Sequence, residues 1–307
     1  MTKLDIDKSI KAKVAELLTE VRARNPLVHH ITNYVTANDC ANAVLAVGGS
    51  PVMADDKTEV EDIVSASSAL VLNIGTPKFD IIDTMLIAGK RANKLGIPVV
   101  FDPVGAGASS YRNKIADRIL NDLKLAVVRG NISEIKAISG IASYTRGVDA
   151  AENDALTRNN LAYGREIAKE LSCRLNCSVA ITGEIDIIAK GDIVYYVENG
   201  HKMLSRITGS GCMCTSLIAL YCGIAKDYME AAAAGVLTMG LAGEMAGEKT
   251  THIEQASYCE KSNEYRKKEV SCCEKGTGTF RIMLMDALSC IKATDIEEKG
   301  RVYCSES

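Results

Sequence analysis

The feature of this sequence that most constrains its fold is an alternation of short apolar segments with longer segments of helical periodicity. The helical patterns cover residues 37–47, 57–67, 77–95, 109–123, 132–139 and 151–171. Most of the short segments are continuously apolar, and they occupy residues 50–53, 69–73, 97–101, 125–129, 178–182, 185–189 and 193–197. Strands that are apolar on both faces and alternate with helices are typical of βαβ units. We therefore predict an α/β fold with a central, mostly parallel sheet flanked by helices.

The sequence beyond residue 197 has a different composition. Residues 211–246 are rich in Ala, Leu, Ile and Met and predict two buried helices with a break near Lys226, and residues 280–291 predict a final helix. Residues 253–275 are polar and charged and contain three cysteines, so we expect an exposed insertion or loop there. No Ser- or Pro-rich linker and no internal repeat divides the chain. We predict a single domain that spans residues 1–307.

Charge and hydropathy exclude several classes of protein. With 36 basic and 39 acidic residues the net charge is −3, whereas proteins that bind nucleic acid by neutralising phosphates usually have a basic excess. The first residues form a charged helical pattern without the apolar stretch of a secretory signal. The longest nearly apolar run, residues 231–243, is too short to span a bilayer. We therefore expect a cytoplasmic protein with reduced cysteines and neither a nucleic-acid nor a membrane partner.

A glycine-flanked turn before an apolar helix is the strongest local signal of a binding site. Gly209 and Gly211 flank Ser210, and Cys212 follows at the start of the predicted helix. Backbone N–H groups that converge in such a turn, together with the helix dipole, favour a phosphate or a developing negative charge. The pattern G-x-x-x-x-G-K-[ST] is absent and residues 105–110 do not complete G-x-G-x-x-G, so a P-loop is excluded and a dinucleotide site is disfavoured. The helix dipole predicts a depressed pKa for the Cys212 thiol, which could be a base, a nucleophile or a small packing residue.

Charged residues lie at or just beyond the ends of two predicted strands, where an open parallel sheet binds its ligands. Asp102 either holds a ligand or forms an Asx-turn before a proline. Arg129 either lies at the surface or pairs with an anion such as phosphate. Glu134 either completes a capping box with Asn131 or points at Mg²⁺. The residues alone leave these alternatives open.

Seven short motifs occur in an order and spacing that resembles the hydroxyethylthiazole kinase family. They are PLVHHITN at 26–33, GSPVM at 49–53, ALVLNIGT at 69–76, DPVGAG at 102–107, RGN at 129–131, AITGE at 180–184 and TGSGC at 208–212. The resemblance covers residues 10–250 and resumes at Gly276. It implies a ribokinase-like α/β fold, a homotrimer with sites between subunits, ATP as co-substrate and Mg²⁺ as cofactor. The implied reaction is phosphorylation of the hydroxyl of 4-methyl-5-(2-hydroxyethyl)thiazole in thiamine salvage.

The resemblance also implies which positions contact the two substrates. Met53 and Gly209 match the positions that bind the thiazole in this family. Arg129 and Thr182 match its ATP-binding positions. Asn33 is a further expected residue of the substrate pocket.

Three more positions are expected to take part in metal binding and catalysis. Asp102 and Glu134 match acidic positions near the phosphates and Mg²⁺. Cys212 is the expected catalytic residue, because it lies where most of the wider ribokinase-like group has an Asp that acts as base and where this family has Cys. Residues 253–275 depart from the family pattern, and they precede a Gly-rich entry to the last helix.

Three other functions remain open at this level. A ribokinase-like fold also suits a kinase of another small alcohol, of the hydroxymethylpyrimidine or pyridoxal type, although a Cys at position 212 favours the thiazole. A non-catalytic protein that only binds the nucleotide or the thiazole would keep the same fold. A redox protein that uses its cysteines is the third alternative, and it would depend on Cys272 and Cys273.

Overall fold

A nine-stranded sheet forms the centre of the structure, a computed structural model that describes residues 3–140, 156, 158–259 and 276–304. In chain order its strands are β1 (Leu27–Ile31), β2 (Ser50–Met53), β3 (Ala69–Asn73), β4 (Val99–Asp102), β5 (Val127–Asn131), β6 (Ser178–Thr182), β7 (Asp186–Lys190), β8 (Ile193–Val197) and β9 (Val302–Cys304). Across the sheet the order is β2-β1-β3-β4-β5-β6-β7-β8-β9. The neighbours from β2 to β6 are parallel, and those from β6 to β9 are antiparallel.

Helices cover both faces of this sheet. In chain order they are α1 (Lys3–Arg24), α2 (Ala37–Val47), α3 (Val60–Ser65), α4 (Phe79–Leu95), α5 (Ser110–Asp122), α6 (Ile132–Ser139), α7 (Leu161–Leu175), α8 (Ser210–Cys222), α9 (Tyr228–Cys259), α10 (Thr277–Cys290) and α11 (Ala293–Lys299). Helices α1, α2 and α8 to α11 share one hydrophobic core, and α3 to α7 share the other. In the part of the chain that the structure describes, none of these helices is long and apolar enough to cross a membrane.

The central strands are largely apolar because both of their faces are buried. In β3, Ala69 and Val71 belong to the core that contains α8, whereas Leu70 and Leu72 belong to the opposite core. Side chains alternate between the two faces of a strand, so a strand with helices on both sides needs apolar residues at every position. The predicted mostly parallel sheet flanked by helices is confirmed.

Most predicted elements agree with the structure to within a few residues. Strands β4 and β5 begin two residues later than predicted and continue into the polar residues Asp102 and Asn131. Strand β1 was not predicted because two histidines interrupt its apolar pattern, and β9 was not predicted because it has only three residues. The antiparallel hairpin of β7 and β8 is confirmed.

Two predicted segments differ from the structure or lie partly outside the residues that it describes. The helix predicted at 151–171 is described from Leu161 onward, whereas residues 151–155 and 157 lie outside the described residues. Residues 253–259 of the predicted insertion continue α9 as helix, and residues 260–275 lie outside the described residues. The insertion and the single-domain boundaries therefore stay predictions.

Candidate active site

Polar side chains meet where the parallel strands end. Asn33 follows β1, Asn73 is the last residue of β3, and Asp102 is the last residue of β4. The parallel register of β3 and β4 places Asn73 beside Asp102. Arg129 lies in the next strand, β5, and Thr182 ends β6. The carboxyl edge of the sheet therefore gathers five of these groups in one row, as expected for a ligand-binding edge.

A buried hydrogen-bond network joins this row to the start of α8. The Nδ2 atom of Asn73 donates to Oδ2 of Asp102 at 2.9 Å and to Sγ of Cys212 at 3.2 Å. The Nδ2 atom of Asn33 donates to Oδ1 of Asn73 at 3.0 Å and to Sγ of Cys212 at 3.4 Å. Thr215, one turn further along α8, donates to Oδ2 of Asp102 at 2.8 Å. The predicted residues Asn33, Asp102 and Cys212 are therefore parts of one constellation.

Asp102 is fully buried, and its carboxylate is only partly satisfied by these donors. Oδ2 accepts two hydrogen bonds, while Oδ1 has no hydrogen-bond partner among the described residues. Burial raises the pKa of Asp102 to about 6, and the nearby Arg129 guanidinium opposes this shift. One guanidinium nitrogen lies 3.9 Å from Oδ2, and another donates to the hydroxyl of Thr182. Asp102 is therefore a buried carboxylate that lies beside a cation and keeps acceptor capacity at Oδ1.

The entry to α8 has the geometry that the sequence predicted for an anion-binding turn. Gly209 caps the helix with φ of +86°, and a Cβ there would lie 2.8 Å from Thr36. The first helical bond runs from the N–H of Met213 to the carbonyl of Gly209 at 2.8 Å. The N–H groups of residues 210–212 precede that bond, so they have no partner within the helix. They are available to an anion at the helix N-terminus.

The pKa of Cys212 contradicts the sequence-based expectation. Burial raises the pKa of the Cys212 thiol above its ordinary value, and the charge of Asp102 raises it further. The predicted depression by the helix dipole is therefore wrong. The side chain is buried and lies beside a carboxylate, and both conditions disfavour a thiolate. Cys212 is a neutral thiol at neutral pH.

Glu134 closes a capping box and also ties two loops together. The N–H of Glu134 donates to Oδ1 of Asn131 at 2.8 Å, and the N–H of Asn131 donates to Oε2 of Glu134 at 2.9 Å. Oε1 accepts from the N–H of Gly105 at 2.9 Å. The structure thus contains the capping box, which was one of the two roles that the sequence left open for Glu134. Each carboxylate oxygen keeps one lone pair for a further ligand, so the second role is compatible with the first.

Two cavities flank the network. The smaller one, of about 260 Å³, is lined by Met53, Asn73 and a mixture of apolar side chains with polar and charged ones, among them Asp55 and Lys78. The larger one, of about 620 Å³, is lined by Arg129 and Thr182 and also by Ser210 and Gly211 at the start of α8. The sizes suit a small molecule on one side and a larger one on the other, and Arg129 with the start of α8 gives the larger cavity groups that can bind an anion.

Two carboxyl groups near Arg129 fit a hard cation. The unpartnered, buried Oδ1 of Asp102 and the carboxylate of Glu134 are oxygen ligands of the kind that Mg²⁺ prefers. In the described part of the chain, no group of three or more His, Cys, Asp or Glu side chains could hold a metal ion by itself. Mg²⁺ usually takes one or two carboxylates and completes its shell with water and substrate phosphates. The site therefore suits Mg²⁺ that binds together with a nucleotide.

Three residues of the site were not selected from the sequence. Asn73 lies within a quoted motif, which was a usable signal, but an amide is not by itself a chemical signature. Thr215 is one of several small polar residues in an apolar helix. Asp186 lines the larger cavity, accepts from the N–H of Gly183 at 2.9 Å, and has its pKa raised to about 7 by burial.

Comparison with known proteins identifies relatives over nearly the whole chain. Residues 18–294 match the hydroxyethylthiazole kinase family. A hydroxyethylthiazole kinase from Clostridium beijerinckii is 50% identical over 293 residues, which cover 95% of this chain and 98% of the relative. One from Ruminiclostridium cellulolyticum is 47% identical over 290 residues, which cover 94% of this chain and 97% of the relative.

Solved structures agree with this assignment. The hydroxyethylthiazole kinase from Pyrococcus horikoshii OT3 is similar with a TM-score of 0.79 and 32% identity, and the match covers 95% of this chain and 99% of that one. A pyridoxal kinase from Staphylococcus aureus in complex with AMP-PCP has a TM-score of 0.54 at 13% identity, covering 71% of this chain and 88% of that one, which shows the fold alone. The predicted ribokinase-like fold and the predicted phosphotransferase class are confirmed. The chain belongs to the hydroxyethylthiazole kinase family.

Proposed function

We propose that this protein transfers the γ-phosphoryl group of ATP to the hydroxyl of 4-methyl-5-(2-hydroxyethyl)thiazole, a step of thiamine salvage. The observation that carries this proposal is the position of the α8 N-terminus between two cavities of different size. Ser210 and Gly211 line the larger cavity, while Cys212 bonds to Asn73, which lines the smaller one. A phosphoryl group held at the start of α8 would therefore lie between the two substrates.

The larger cavity supports binding of the triphosphate. Arg129 lies in it, buried and bonded to Thr182, and a guanidinium suits phosphate oxygens. The N–H groups of residues 210–212 would stabilise the charge that develops on the transferred group. Phosphoryl transfer depends mainly on such positioning and charge neutralisation, so these residues supply the principal catalytic effect.

The smaller cavity supports binding of the thiazole alcohol. Met53 and other apolar side chains suit a neutral ring. Asn33 is buried beside Cys212, and Gly209 supplies the bend that brings the thiol to this point. The neutral Cys212 thiol orients the hydroxyl rather than deprotonating it in advance. In a loose transition state the hydroxyl proton can pass late to an oxygen of the transferred phosphoryl group, as the new O–P bond forms and the bond to ADP breaks.

Mg²⁺ forms part of the proposal. When it is bound it would neutralise charge on the phosphates, and Asp102 and Glu134 would hold it. Asp102 is suited to this role because one of its oxygens has no partner in the part of the chain that the structure describes. A cytoplasmic location, where ATP and Mg²⁺ are both available, is proposed with it.

The decisive experiment measures ADP release with and without the thiazole alcohol, and with hydroxymethylpyrimidine and pyridoxal as alternative acceptors. We expect thiazole-dependent turnover that requires Mg²⁺. Turnover with another alcohol but not with the thiazole would contradict the substrate, and nucleotide binding without turnover would contradict the activity. Cys212→Ala should lower kcat with little change in the KM for ATP, and Cys212→Ser is the matched control that keeps a hydrogen-bonding group.

We also propose that the active protein is a homotrimer with its sites between subunits. The rim of the smaller cavity supports this proposal, because Tyr34 is 73% exposed, the neighbouring Val35 is 55% exposed and Met53 is 39% exposed. Such apolar side chains around a substrate cavity are typical of a surface that another chain covers. Light scattering of the purified protein should give three times the mass of the chain; a monomer with full activity would contradict the proposal.

A further inference from the structure

The side-chain amide of Asn73 makes four hydrogen bonds in the protein. Its Nδ2 atom donates to Oδ2 of Asp102 and to Sγ of Cys212. Its Oδ1 atom accepts from Nδ2 of Asn33 at 3.0 Å and from the N–H of Gly75 at 2.9 Å. An amide has two donors and two lone pairs, so this arrangement uses its full capacity. Asn73 is 2% exposed, and its orientation is fixed from all sides.

Hydrogen bonds from two side-chain amides restrict the Cys212 thiol. Its sulfur accepts from the amides of Asn73 and Asn33 at 3.2 and 3.4 Å. Sulfur is a weak acceptor, and two N–H groups occupy the directions in which it could accept another proton. The thiol is thereby held as a group of fixed orientation between the two cavities. Asn73 is the residue that connects this thiol to the carboxylate of Asp102.

We propose that Asn73 is a positioning residue for phosphoryl transfer, which acts by holding Cys212 and Asp102 in a fixed relation to each other. This inference rests on the proposed function. Asn73 ends β3 in register with Asp102 and also lines the smaller cavity, so a shift of its side chain would displace both groups at the point where the two substrates meet. Misplacement of a reacting group by a small distance is costly in rate although binding is retained.

Asn73→Asp is the sharpest test because it keeps an acceptor in place of Oδ1 and replaces the donor side of the amide by a carboxyl oxygen, which, when ionised, also places a second negative charge beside Asp102. The aspartate keeps Oδ1 as acceptor for Asn33 and Gly75, and it loses both bonds that reach Cys212 and Asp102. We expect kcat to fall by about 30-fold or more, while the KM for ATP changes by less than about threefold.

Asn93→Asp is the matched control. Asn93 donates to the carbonyl of Lys124 at 2.8 Å and accepts from its N–H at 2.8 Å, so the same substitution also removes a donor and keeps an acceptor. Asn93 lies near the end of α4 and lines neither cavity. This variant should keep kcat within about twofold of the unsubstituted protein.

A double-mutant cycle separates positioning from a merely structural role. In the Cys212→Ala background, Asn73→Asp should lower kcat much less than it does alone, because residues that act together give non-additive effects. A normal kcat for Asn73→Asp, or additive effects in the cycle, would overturn the inference. If thermal unfolding shows that Asn73→Asp does not fold, Asn73→Ser is used in the same cycle with the same expectations. Absence of thiazole-dependent turnover in the unsubstituted protein would instead refute the proposed function.

Discussion

Gly211 offers a prediction whose size follows from the structure. Its Cβ position in an alanine variant would lie 3.0 Å from Nη2 and 3.1 Å from Cζ of Arg129, and closer still to Nη1. Ordinary contacts of this kind begin near about 3.5 Å, so the guanidinium would have to retreat by at least about 0.5 Å. Because Arg129 is bonded to Thr182 and lies beside Asp102, this retreat would weaken both contacts.

The expected effect of Gly211→Ala is on ATP rather than on folding. Hydrogen bonds of a charged group contribute about 1.5–3 kcal/mol. Displacement of Arg129 from its place in the larger cavity should therefore raise the KM for ATP by about 10- to 100-fold. Alanine has a higher helix propensity than glycine, and Gly211 lies in the first turn of α8, so the free energy of unfolding should not fall by more than about 1 kcal/mol.

Initial rates at saturating thiazole and varied ATP, together with thermal unfolding, measure these two quantities. Gly278→Ala is the matched control, because Gly278 lies in the first turn of α10 and a Cβ there would meet none of the described residues within 4 Å. The control should leave the KM for ATP unchanged. A Gly211→Ala variant whose KM for ATP stays within about twofold of normal would show that Arg129 does not bind the nucleotide in this position.

Three further predictions concern carboxyl groups. Because burial raises the pKa of Asp102 to about 6, kcat should fall as the pH decreases through 6, and Asp102→Asn should lower kcat at every pH; a flat profile from pH 5 to 8 would contradict this. Glu134→Gln replaces one of the two acceptor oxygens of this side chain by a donor, so we expect a loss of about 1–2 kcal/mol in unfolding free energy. We also expect the variant to require a higher Mg²⁺ concentration for activity. An unchanged Mg²⁺ titration would leave only the capping role. Burial raises the folded-state pKa of Asp186 to about 7, so the stability that the protonated carboxyl contributes is lost as the pH rises from about 4 to 7. Thermal unfolding of Asp186→Asn and of the unsubstituted protein should therefore show a stability difference that favours the variant more at pH 8 than at pH 4.

The chemistry of the site shows where prediction from sequence stops. The turn at Gly209 and Gly211 was predictable because glycine conformation and helix entry are local properties. The state of the Cys212 thiol was not, because the helix dipole is local whereas burial and the charge of Asp102 come from distant parts of the chain. The local effect alone gave the wrong direction for the pKa.

The hydrogen-bond partners of Asn73 were likewise not predictable from the sequence around it. It bonds to Asp102, 29 residues away, and to Cys212, 139 residues away. Nothing in the residues around Asn73 indicates either partner. The contacts exist because the parallel register of β3 and β4 aligns two strand ends and because α8 packs against that edge.

The sequence by itself determined the alternation of strands and helices, the burial of both faces of the sheet and the glycine turn before α8, since each depends on periodicity or on backbone preferences of neighbouring residues. Only the tertiary structure decided which strand ends are adjacent, that Asn73 links Cys212 to Asp102, and that the thiol is neutral. Strand order, register and desolvation depend on the packing of segments far apart in the chain, and no local pattern encodes them.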